Sequence, residues 1–85
     1  MPRESLMAES SNLGSAYRQM GESMKAKRCY EISLQLVPDR PMAMAMIGLG
    51  LIAQKDGDLP EAVRQYSRAM AVQPTDVGYL LLAQA

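Results

Sequence analysis

The chain has 85 residues, nine basic side chains balanced by nine acidic ones, no histidine and a single cysteine, Cys29. Zero net charge leaves no basic surplus to neutralise phosphates, so no nucleic-acid partner is expected. Without histidine the commonest general base and metal ligand is missing, and one cysteine makes neither an internal disulfide nor a cysteine-based zinc site, so no enzyme, metal or cofactor is expected.

The length suits one small domain, residues 1–85. Met1-Pro2-Arg3-Glu4 is not followed by an apolar signal core. The longest apolar run, Met42 to Ala53, falls short of the ~20 residues of a membrane span, so no membrane association is expected. A single free thiol suits the cytosol, the compartment expected here.

In chain order, a first helix is predicted over 5–19, with apolar and small residues at helical spacing in 13–17. Gly21 supplies the left-handed residue that ends it. A second helix over 22–36 stops before Pro38. Asp39, before Pro41, is a candidate cap for a third helix over 41–55, which Gly57 ends. The fourth, 59–72, has the most explicit start: Asp58 caps, Pro60 fits the first turn, and Glu61 completes an Asp-x-x-Glu capping box. After Pro74, Thr75 or Asp76 would cap a last helix over 76–85. No stretch has the period of a strand, so the fold class is all-α.

These elements repeat. A shift of 36 positions lays Leu13-Gly14 on Leu49-Gly50, Gly21 on Gly57, Ala26 on Ala62, Arg28 on Arg64, Tyr30 on Tyr66 and Pro38 on Pro74. Two helix-hairpin units, about 7–40 and 43–76, are followed by a partial third, 77–85. One hairpin cannot bury its apolar face alone, so the units must stack. Gly14 and Gly50, with Ala26 and Ala62, would let the two helices of each hairpin cross closely. Tyr30 and Tyr66 would fill the space between one hairpin and the next.

At this point the residues resemble the tetratricopeptide repeat family. The first unit offers Leu13, Gly14, Tyr17, Gly21, Ala26, Tyr30, Ser33 and Pro38; the second offers Met46, Leu49, Gly50, Ala53, Gly57, Ala62, Tyr66, Ala69 and Pro74. The spacing exceeds the family's usual ~34 residues, and the loop 39–42 is where two more would fit. Ser10 and Ser23 stand where bulkier residues are usual, which suits a looser or end-capping first unit. The resemblance implies antiparallel helix hairpins stacked in a right-handed superhelix, an α-solenoid. It also implies a concave groove, lined by the first helix of each unit, that holds a peptide or helix of a protein partner.

On that groove face the first unit offers Ser11, Asn12, Ser15 and Arg18, beside Ala8, and the second offers Met44, Ile47, Leu51 and Gln54. Leu49, Gly50 and Ala53 are assigned to the core of their own hairpin. Adaptable methionine-rich surfaces suit partner binding, but the first expectation for Met42, Met44 and Met46 is packing against the third unit. A subset of the family clamps a chaperone's terminal carboxylate; the matching places here hold Ser11, Ser15, Gly48, Gly78 and Leu82, so no such clamp is expected. The main alternative function is self-association as a homodimer through Leu80, Leu81 and Leu82 or the Met44 face. An RNA-reading helical repeat is a weaker alternative.

Other signals have plainer readings. Gly48-x-Gly50-x-x-Ala53 has the form of a dinucleotide loop but lacks its preceding strand and long helix. Asp56-Gly57-Asp58 is a turn and cap rather than a calcium loop. Lys25, Lys27 and Arg28 form a solvated face near Glu22 and Glu31, and Cys29 is a packing or surface thiol.

Overall fold

A computed structural model describes residues 2–38 and 41–73. It contains four helices, α1 (Arg3–Gln19), α2 (Ser23–Leu36), α3 (Ala43–Lys55) and α4 (Leu59–Val72), and no strand among the described residues. They form two antiparallel hairpins, α1/α2 and α3/α4. The predicted last helix and Leu80, Leu81 and Leu82 lie outside the described residues.

The same turn closes both hairpins. Gly21 and Gly57 each adopt φ +84°, a conformation open to glycine at little steric cost. Behind each glycine, a backbone N–H reaches five positions back to a helix carbonyl: Glu22 N–H to Tyr17 O at 2.9 Å and Asp58 N–H to Ala53 O at 2.8 Å. Orphan carbonyls at the helix end are thereby satisfied. At the start of α4, Asp58 accepts from the Glu61 backbone N–H at 3.3 Å, as expected. The capping box is only half made, because the Glu61 carboxylate turns outward to Arg64 and Gln65. The cap residue of α3 is Met42 rather than Asp39, with no side-chain bond.

Helix α3 is the centre of the structure. It packs against its partner α4 and against both α1 and α2, and it buries Ala43, Ala45, Met46, Gly48, Leu49, Gly50, Ile52 and Ala53. A helix apolar on most sides is one surrounded by others. Leu49 corrects the sequence reading: it packs with Ala26, Tyr30, Ala45 and Ile52, so it joins the two hairpins instead of filling its own. The methionines also divide differently from expectation. Met46 is buried with Ala43 and Ala69, Met42 packs on the cluster around Tyr30, and Met44 is exposed.

Tyr30 and Tyr66 are fully buried, and glycines make room for their rings. A methyl group at Gly14 would lie 2.9 Å from the Tyr30 Cδ1 edge, and one at Gly48 would lie 2.2 Å from Cζ on the opposite side. Tyr30 is thus wedged between α1 and α3. Gly50 makes the same room for Tyr66, whose Cε1 would be 2.4 Å from an added methyl. The sequence reading gave Gly14 and Gly50 a role in close helix crossing; the group that approaches them is an aromatic ring.

Gly48→Ala should therefore cost about 1–3 kcal/mol through overpacking against a ring that cannot retreat. Thermal unfolding would show it as a midpoint lowered by roughly 4–8 °C per kcal/mol for a chain of this size. A midpoint equal to that of the parent would mean that Tyr30 does not occupy the gap.

Candidate functional site

Helices α1 and α3 touch directly, and no comparable contact joins α2 to α4. On the α2/α4 side an open cleft of about 350 Å³ separates Lys27 and Glu31 from Asp58, Glu61, Arg64 and Gln65. Two surfaces therefore differ in character: a charged cleft between the second helices, and a continuous face over the first helices.

The candidate residues on the first-helix face have unequal access. Asn12 and Met44 are exposed, and Ser15, Arg18, Ile47, Leu51 and Gln54 are half-buried. Ser11 is a correction: it is fully buried, its Oγ has no hydrogen-bond partner among the described residues, and it cannot touch a partner. Ile47 leans on the cluster around Met46, and Leu51 on the one around Tyr66. Both are therefore positioned by the core while part of each side chain stays at the surface.

The polar members of this face hold the tyrosine hydroxyls. Ser15 Oγ lies 3.0 Å from the Tyr30 hydroxyl, and Arg18 Nε donates to that hydroxyl at 3.4 Å. In the second hairpin the Tyr66 hydroxyl donates to Gln54 Oε1 at 2.7 Å. Arg18 and Gln54 are 36 positions apart, so the same register position anchors the tyrosine in each unit. A buried phenol that lacked such a partner would lose about 1–3 kcal/mol. Sequence reading placed these residues on the groove and missed this second task; the shared register of Arg18 with Gln54 and of Tyr30 with Tyr66 was the available signal. It also missed Gly48 as a cradle, since that glycine has no counterpart in the first unit, where Asn12 stands.

Electrostatics separate the two surfaces further. On the cleft side, the Arg64 hydrogen bond holds the Glu61 carboxyl below its usual range, against a smaller opposing effect of burial. Lys25 pairs with Glu22 at 3.6 Å and sits 5.7 Å from the centre of the Tyr17 ring, and the whole basic run of Lys25, Lys27 and Arg28 is exposed to solvent. On the first-helix face, burial raises the Tyr66 hydroxyl above its ordinary value, and the positive charge of Arg18 opposes that rise.

Tyr66 should titrate later than an exposed tyrosine when phenolate absorbance is followed from pH 9 to 12. Its raised folded value means that its contribution to stability is complete below the unfolded value of ~10 and is lost as pH rises through the folded one. Tyr66→Phe should remove this late-titrating component and about 0.5–1.5 kcal/mol of stability. An unchanged titration curve in that variant would assign the component to another tyrosine.

Among the described residues, no helix is long and apolar enough to cross a membrane. A search of curated proteins finds no match to the chain, and a search of solved structures finds none either. A model of the tetratricopeptide repeat family matches residues 5–75, covering both hairpins and their turns. With the duplicated hairpin, its positive-φ glycines and its glycine-cradled tyrosines in place, the chain belongs to the tetratricopeptide repeat family.

Proposed function

We propose that this chain is a non-catalytic scaffold that holds an extended or helical segment of a partner protein along the α1/α3 face. Tetratricopeptide repeats are generally protein–protein interaction modules, which gives the class. The observation that carries the specific reading is what remains uncovered on α3. That helix is buried on most sides, yet Met44 is about half exposed, and Ile47, Leu51 and Gln54 on the same face keep partial access. Core residues fix Ile47 and Leu51 from below, so a partner would meet a preorganised apolar surface with an adaptable methionine at its edge. Asn12, Ser15 and Arg18 extend the face with hydrogen-bonding groups on α1. No catalytic role is assigned, because the chain has no histidine and its clustered acids belong to helix caps and ion pairs.

The test is selection of random twelve-residue peptides on the 85-residue chain, with molar mass followed by light scattering over a concentration series. A monomer that enriches apolar peptides is expected, and Met44→Glu should weaken the selected peptides at least fivefold while leaving the helical circular dichroism unchanged. A concentration-dependent dimer that Met44→Glu dissolves would instead make this face a self-association surface.

A further inference from the structure

The first-helix face carries the charge of Arg18 at its α1 end. Arg18 is half-buried, and no acidic side chain lies within ion-pair distance of it among the described residues. The two arginines of α4 are engaged: Arg64 with the Glu61 carboxylate and Arg68 with the Gln65 amide oxygen. On α1 the acid that shares the face of Arg18 is Glu4, fourteen residues away, ~21 Å along the axis. Glu31, Asp56, Asp58 and Glu61 line the cleft between the second helices.

The guanidinium is also held in place. Its Nε reaches the Tyr30 hydroxyl, itself fixed by Ser15 and by the wedge between Gly14 and Gly48. Using Nε this way leaves the two Nη groups, a planar fork suited to a carboxylate. Its charge is felt at Tyr66 in the next hairpin, so it acts at the junction of the two units, near Leu51 and Gln54. A partner segment covering Leu51 would take water from this charge, and a charge covered without a counter-ion is costly.

We infer that Arg18 is a specificity-determining residue that reads an acidic side chain, Asp or Glu, in a partner segment whose neighbouring apolar residue rests on Ile47 and Leu51. This rests on the groove reading above. The source is a side chain and not a chain terminus: the places that would form a terminal-carboxylate clamp hold Ser11, Ser15, Gly48, Gly78 and Leu82, none of them charged. A planar guanidinium fork matches one carboxylate in a two-point contact.

The experiment uses twelve-residue peptides displayed internally, with no free terminal carboxylate, selected on the full chain and on Arg18→Gln. The full chain should enrich one acidic position close to an apolar one. For the best peptide, made with an amidated terminus, replacing its acid by the amide should weaken binding to the full chain about tenfold. The same replacement should cost less than twofold against Arg18→Gln. Tyr30→Phe, which removes the internal hydrogen bond but keeps the charge, should retain the acidic preference, so loss of preference in Arg18→Gln alone is not a folding effect. Peptides enriched without an acid, or an equal cost of the amide in both proteins, would overturn the assignment of Arg18 while leaving the groove standing. Recovery of no peptide at all would overturn the groove and this inference together.

Discussion

The wedge of Tyr30 between α1 and α3 is the constraint on which the rest of the structure depends. One ring fills a gap that would otherwise separate two hairpins, with Gly14 giving room on one edge and Gly48 on the other. It joins Ala26, Ala45, Leu49 and Ile52 in one buried cluster that crosses from the first unit to the second. Because the ring is flat and rigid, it sets the distance between α1 and α3 more narrowly than an aliphatic side chain would. The hydroxyl end cannot be buried without a partner, and Ser15 and Arg18 supply one at the surface. The same side chain thus determines hairpin stacking and the placement of the polar residues over the first helices.

The repeat is duplicated in sequence but not in environment, and the differences follow from what lies on either side. Leu13 and Leu49 occupy one register position, yet Leu13 is 50% exposed and Leu49 is 8% exposed. Leu49 is covered by the preceding hairpin, and no described element covers the outer side of α1. Asn12 is exposed where Gly48 is buried under a tyrosine. An asparagine there would collide with a ring arriving from the other side, so α1 is built with a solvated outer edge and α3 with a packed one. Ser33 makes the same adjustment inside the first hairpin: its hydroxyl donates to the Met7 carbonyl at 2.8 Å, where the second hairpin places the apolar Ala69.

Much of this was legible in the residues. The offset of 36 positions, the turn glycines, the cap at Asp58 and the stop at Pro38 are local signals, and each acts through its own backbone or a neighbour a few residues away. Helix limits followed from them to within two residues. What was not legible needed the distance between elements. Leu49 reads as an ordinary core residue of its own helix, and only the stacking shows that it faces the previous unit. Ser11 shares its helix face with Ser15 and Arg18, so periodicity alone could not tell a buried serine from an exposed one. Gly48 attracted attention only as part of a Gly-x-Gly string, since nothing near it in sequence announces that a tyrosine eighteen residues earlier will rest on it.

The distribution of charge connects the packing to the proposed use of the surface. Hairpin turns and helix starts need acids and small polar groups, as at Asp58 and Glu61, and the start of α4 borders the cleft between α2 and α4. Cations near helix starts are paired at short range, Lys25 with Glu22 and Arg64 with Glu61. The first-helix face contains neither a helix start of that kind nor a turn at its centre, so no capping requirement brings an acid to Arg18. Among the described residues no acid pairs with it. Water can solvate the guanidinium while the face is open, at no cost to the free protein. The cost arises only when an apolar partner covers it, and it falls unequally on partners with and without a carboxylate at that point. A fold stabilised by tyrosine wedges can therefore discriminate among partners through the residue that anchors the wedge.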